Sequence, residues 1–121
     1  MLYRETGMEA LELVLLFDYY GDLLTDRMRE CFDLRYNQDL SLGEIGQILG
    51  ISRQGVHDNL SRAEALLRNM EEKTGCVRRD QLCRRGAKKI CDAARRLQTE
   101  PGADVSALTQ QIIQIAQELE E

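Results

Sequence analysis

Apolar residues recur along this chain at helical spacing, in six successive blocks set off by capping and turn residues. The first block, Met8 to Leu24, carries Leu11, Leu13, Val14, Leu15, Leu16, Phe17, Tyr19 and Tyr20 almost all the way round. A solvated surface helix does not look like this, so the block is expected in a core, in a dimer interface, or in both. Gly21 interrupts it without necessarily ending it. Thr25 then suits an N-cap, with Asp26 in the favoured first turn and Met28, Cys31, Phe32 and Arg35–Tyr36 as the stripe. Asn37–Asp39 reads as a turn.

The third block, Leu42 to Leu49, has the sharpest local signal. Ser41 and Glu44 stand at capping-box positions, Leu40 and Ile45 at staple positions, and Gly50 stops the helix. Ser52 caps a fourth helix that runs through Val56, Leu60, Ala63, Leu67 and Met70 to Lys73 and Gly75. A fifth, about Arg79–Leu97, is expected to turn Leu82, Ile90, Ala94 and Leu97 inward. Thr99–Ala103, with Pro101 and Gly102, is the one clear linker. Asp104 caps a last helix with Leu108, Ile112, Ile115 and Leu119 as its seam. The expected fold is all-α, about six helices around a central helix-turn-helix. Residues 1–75 would form a helical core and residues 76–121 a C-terminal extension, packed on that core or on a dimer partner.

The segment SLGEIGQILGISRQGVHDNL holds the parts of a helix-turn-helix, at Leu42–Leu60. Ile45, Leu49, Ile51, Val56 and Leu60 can lock two short helices at a steep angle. Gly46 falls at the crossing point, and Gly50 permits the left-handed backbone of the turn. In a reader of nucleic acid, the start of the second helix faces the groove. Arg53, Gln54, His57, Asp58 and Ser61 are the outward candidates, with Asn59 beside them. Arg53 matches guanine and Gln54 adenine, while His57 and Asn59 suit a phosphate or a base edge. Arg62 and Arg68 offer backbone contacts. Asp58 is awkward, because a carboxylate is repelled by phosphates and only an accepting contact to cytosine would suit it. It reads more naturally as a partner for a neighbouring charge.

The net charge of −5 conceals a segregation. Residues 1–40 carry a net −5, residues 41–75 a net −1, residues 76–99 a net +6 and residues 100–121 a net −5. Nucleic-acid affinity draws on local Lys and Arg, so overall acidity does not exclude it. The positive patch is Arg78, Arg79, Arg84, Arg85, Lys88, Lys89, Arg95 and Arg96. It reads either as a solvated face paired with acidic helices or as a docking face for RNA, DNA or acidic protein.

No catalytic frame is visible. His57 has no cysteine nearby in sequence, and the glycines form neither a GxxxxGK nor a GxGxxG loop. Cys76, Cys83 and Cys91 on one helix would stand roughly 10–12 Å apart in succession, too far for one tetrahedral ion. No enzyme activity, cofactor or metal is expected. The apolar run Leu13–Phe17 is far short of the roughly 20 residues that span a bilayer. The N-terminal residues, Arg4 and Glu5 among them, lack the pattern of a secretory signal. A cytoplasmic address is the expectation.

The stretch LTDRMRECFDLRYNQDLSLGEIGQILGISRQGVHDNLSRAEALLR resembles region 4 of bacterial sigma factors, which reads a promoter element. More closely, the chain resembles the YlxM family, small bacterial proteins with a sigma-region-4-like helix-turn-helix. LLFDYYGDLLTDR at 15–27, DLSLGEI at 39–45, ISRQGVHDNLSRAE at 51–64 and EEKTG at 71–75 carry the likeness. The resemblance implies a homodimeric regulatory accessory of the signal recognition particle pathway, with the particle's RNA, its GTPase or the receptor as partner. Arg84, Arg85, Lys88 and Lys89 are the motivated RNA-docking residues. A sequence-specific regulator of transcription, reading duplex DNA through the recognition helix, is the rival reading, and a protein-only adaptor a third. Cys76, Cys83, Cys91 and Pro101–Gly102 depart from the family's pattern.

Overall fold

The computed structural model describes residues 7–120. Arg4 and Glu5 lie outside them. Among the described residues there are six α-helices and no strand: α1 (Gly7–Tyr20), α2 (Asp26–Phe32), α3 (Leu42–Leu49), α4 (Arg53–Thr74), α5 (Cys76–Thr99) and α6 (Val105–Glu120). The fold is all-α, and it divides into two compact units, Met1–Val77 and Arg78–Glu121.

The first unit is built on a stripe of α4. Val56, Leu60, Ala63 and Leu67, at i, i+4, i+7 and i+11, are buried to within 1% of full burial. Leu13 and Leu16 of α1, Met28, Cys31 and Phe32 of α2, and Leu42 and Ile45 of α3 complete one cluster with them. Phe17 stacks on Phe32 with ring centroids 4.5 Å apart, and Phe32 meets Tyr36 at the same distance. Such rings add specific geometry to the apolar burial.

Local chemistry sets the helix starts. Thr25 Oγ1 accepts from the Met28 amide at 3.2 Å and so begins α2. At α3, Ser41 Oγ accepts from the Glu44 amide at 3.1 Å while the Ser41 amide donates to Glu44 Oε1 at 3.0 Å. These hydrogen bonds hold the Glu44 carboxyl below the usual carboxylate range. The far end of α3 is closed from another element, Arg27 of α2, whose Nη1 donates to the Leu49 carbonyl at 3.2 Å. A cation there also suits the negative end of the helix.

Three expectations change. α1 ends at Tyr20, and Gly21–Leu23 form a tighter 3-10 turn, so Gly21 does end the α-helix. The turn expected near Asn37–Asp39 is present, but α2 does not keep α geometry up to it. The helix continues as one π-helical stretch, Asp33–Asn37, before Asp39 reverses the chain at φ 58°. α1 is also not apolar-buried all round: Leu13 and Leu16 are inside, but Leu11 is 72% exposed.

The end of the first unit is tied to its beginning. The Tyr20 hydroxyl donates to Glu71 Oε1 at 2.8 Å and lies 2.6 Å from Thr74 Oγ1. Glu71 Oε1 also accepts from the Val77 amide at 3.0 Å, satisfying the start of α5.

In the second unit, Asp104 Oδ1 accepts from the Ala107 amide at 3.0 Å and caps α6, as its sequence position indicates. The inward face of α5 differs from expectation. Gly86 and Ala93 are buried and Ile90 and Leu97 half-buried, whereas Ala94 is exposed and Leu82 is 51% exposed. The packed stripe is thus 86, 90, 93, 97, and it includes a glycine that a count of apolar side chains passes over.

Two outcomes follow for stability. A Cβ on Gly46 would lie 2.7 Å from the Ile51 carbonyl oxygen. Gly46→Ala is therefore expected to cost about 1–3 kcal/mol in denaturant unfolding. Burial pushes the Tyr20 phenol above its ordinary range. A raised folded pKa means stability that is complete below the unfolded phenol's pKa, about 10, and lost as pH rises through the higher folded value. Tyr20→Phe should flatten the fall in thermal midpoint in that alkaline window, a difference readable by circular dichroism.

Candidate nucleic-acid interface

α3 and α4 are joined by three residues, the left-handed Gly50 at φ 70°, Ile51 and Ser52. The Ile51 amide donates to the Gly46 carbonyl at 3.0 Å, closing the turn on the helix it leaves. Because Gly46 has no side chain, the chain entering α4 passes directly over α3. Ser52 Oγ then accepts from the Gly55 amide at 2.9 Å and starts α4. The first turn of α4 is thereby fixed in direction by backbone contacts and in rotation by the buried stripe.

That stripe decides what faces outward. Gln54, Asp58, Ser61 and Ala65 share its i, i+4, i+7, i+11 spacing, offset by two residues, and so lie across the helix from it. Arg53 and Gln54 are exposed, as is Arg62 more than two turns further on. His57, Asp58, Asn59 and Ser61 are half-buried. Among the described residues, Arg53 and Arg62 take part in no ion pair. Arg68, by contrast, is held by Glu64 at 3.3 Å and by Glu12 of α1 at 3.5 Å.

Side-chain hydrogen bonds sort the remaining candidates. Asn59 Nδ2 donates to the Gly55 carbonyl at 2.8 Å, so its amide is turned back on its own helix. Gln54 Nε2 donates to Asp58 Oδ1 at 2.9 Å, and His57 Nδ1 lies 3.7 Å from that same oxygen. Asp58 is thus the centre of a local group, with Gln54 and His57 arranged about it.

The second set of candidates, Arg84, Arg85, Lys88 and Lys89, lies on α5 and is exposed. Arg84 Nε donates to Asp80 Oδ2 at 2.7 Å, and Arg95 and Arg96 are paired with Asp92 and Glu100. Arg85, Lys88 and Lys89 enter no ion pair among the described residues. The candidates on α4 and the four cations on α5 belong to separate units.

Among the described residues, no three His, Cys, Asp or Glu side chains come together as a metal site. All four cysteines are free thiols: Cys31 is buried, with its thiol pushed up by that burial, and Cys76 and Cys91 are exposed. Nor is any described helix long and apolar enough to cross a membrane. Sequence spacing passed over two features of the first unit. Ile48, on the outer side of α3, is 60% exposed beside a helix whose other apolar residues pack inward. The tie from Tyr20 to Glu71 links positions 51 apart, beyond any local period.

Residues 8–103 match the family UPF0122, described as "Putative helix-turn-helix protein, YlxM / p13 like". A UPF0122 protein of Thermoanaerobacter sp. (strain X514) is 55% identical over 73 residues, 60% of this chain and 62% of that relative. One from Caldanaerobacter subterraneus subsp. tengcongensis is 51% identical over 82 residues, 68% of this chain and 70% of the relative. One from Clostridium kluyveri is 38% identical over 97 residues, 80% and 87% of the two chains. The chain thus spans less than two thirds of the length of the Thermoanaerobacter relative that it matches.

The cap geometry has a direct test. Ser52→Ala is expected to cost about 1 kcal/mol, measured by chemical denaturation. Asn59→Ala, which removes a bond made within the helix, should leave any binding at this surface unchanged.

Proposed function

The chain belongs to the UPF0122 family of YlxM/p13-like helix-turn-helix proteins, and on that premise we propose that it is a regulatory, non-catalytic accessory whose working surface is the start of α4, offered to the groove of a nucleic-acid duplex. One observation carries this reading. Arg53 and Gln54 stand exposed in the first turn of a capped helix whose Val56, Leu60, Ala63 and Leu67 stripe is buried to completion. The helix cannot roll or withdraw without opening the core, so these two side chains are held toward a partner at little cost in order. That is the arrangement in which a recognition helix presents its first residues to base edges.

Duplex DNA is the partner that this surface suits. The major groove of B-form DNA admits an α-helix, and an arginine there pairs with guanine O6 and N7. The cations on the face are few, so each phosphate contact matters and affinity should fall only gently with salt. A homodimer would double the contacts, and the exposed Leu11 and Tyr19 of α1 support such pairing.

A second reading sets the protein in the signal recognition particle pathway, with the particle's RNA, its GTPase or the receptor as partner. Its support is the YlxM resemblance together with α5. Arg85, Lys88 and Lys89 are exposed cations with no ion pair among the described residues, and they suit a polyanion backbone.

Anisotropy titrations of the full chain separate the two, using genomic duplex fragments and the particle's RNA at about 0.15 M salt. On the first reading, Arg53→Ala weakens duplex binding about ten-fold while the fold is retained. Unchanged affinity in that variant would remove α4 as the working surface. On the second, replacing Arg85, Lys88 and Lys89 by alanine lowers RNA affinity and flattens its salt dependence, and duplex binding stays as it was.

A further inference from the structure

Asp58 is the one acidic side chain in the first two turns of α4. It lies on the same side as Gln54, one turn on, and its side chain is 48% exposed. Gln54 Nε2 donates to its Oδ1 at 2.9 Å, which holds the carboxylate in place and turns the glutamine toward it. A carboxylate accepts hydrogen bonds and donates none. Set against a phosphate it is repelled, and set against guanine N7 and O6 or thymine O4 it meets only other acceptors.

Two base edges in the major groove offer it a proton, adenine N6 and cytosine N4. Adenine N6 stands beside the acceptor N7, which opposes a negative charge. Cytosine presents its N4 amine alone. A carboxylate held firmly at this point of the helix therefore has one favourable neighbour and several unfavourable ones. The hydrogen bond to Gln54 sharpens the effect, because a carboxylate already oriented loses less freedom when it binds.

We propose that Asp58 determines the sequence specificity of this interface by accepting a hydrogen bond from cytosine N4 in duplex DNA, with Gln54 as its positioning residue. The inference rests on the docking of α4 into a duplex and names what that docking selects. His57, whose Nδ1 lies 3.7 Å from Asp58 Oδ1, sits at the edge of the same group.

The test is selection of bound sequences from a random duplex pool by the full chain, alongside Asp58→Asn and Gln54→Ala. The unaltered protein should enrich sites with cytosine at one fixed position. Exchanging that cytosine for thymine should weaken binding about ten-fold. Asp58→Asn should move the preference at that position alone to adenine, since an asparagine amide matches adenine N6 and N7. Gln54→Ala should keep cytosine but blunt the discrimination, a readout that loss of folding would not imitate. If Asp58→Asn strengthened binding to every sequence alike, the carboxylate would be a repulsive charge only and the inference would fall. The same base preference at every position in that variant would also overturn it. Absence of any duplex binding by the unaltered, folded protein would instead remove the proposed function, and this inference with it.

Discussion

Everything at the interface depends on the close crossing of α3 and α4 at Gly46. The Ile51 carbonyl lies where a Cβ on Gly46 would have to go, 2.7 Å away, and the Ile51 amide donates back to the Gly46 carbonyl. Two backbones in contact leave no room for adjustment. The approach of the two helices is then set by backbone contact as well as by side-chain packing, and Ser52 starts α4 at a defined place. The buried stripe of Val56, Leu60, Ala63 and Leu67 fixes the rotation. Direction and rotation together determine which residues reach out.

The rest of the first unit serves that crossing from a distance. Arg27 closes the end of α3 from α2, and Phe32, fully buried between Phe17 and Tyr36, anchors α2 to α1 and to its own π-helical end. The π stretch makes room for the chain to turn and deliver Leu40 and Ser41 to α3. At the other end, Glu71 ties the last turn of α4 to Tyr20 and to the Val77 amide of α5. The helix that carries the candidate readers is thus held along its length by elements on both sides of it in sequence.

Charge is arranged in a different way. The outer face of α4 sets Arg62 one turn beyond Asp58, so it offers selectivity more than raw attraction. α5 carries its cations in the open, several of them paired with Asp80, Asp92 and Glu100 at i+3 or i+4 spacing. Such exposed pairs contribute little to stability. Their role in the surface potential is the larger one, and it belongs to the second unit alone.

The residues by themselves determined where helices begin and which kind of motif they form. Caps are local: Thr25, Ser41 with Glu44, Ser52 and Asp104 each reach an amide three residues on, and that chemistry needs no tertiary partner. The i, i+4, i+7, i+11 stripe of α4 and the small residue at the crossing were equally legible, since both follow from helical periodicity. Tertiary structure decided what periodicity does not encode. It placed Leu11 outward on a helix apolar all round, ended α1 before Gly21, and buried Gly86 and Ala93 of α5 where the sequence pattern pointed to Leu82 and Ala94. It also brought Tyr20 to Glu71 and Arg27 to the Leu49 carbonyl, contacts between residues far apart in the chain. The reason is the same in each case: burial is a property of what packs opposite, and a side chain carries no record of its neighbour.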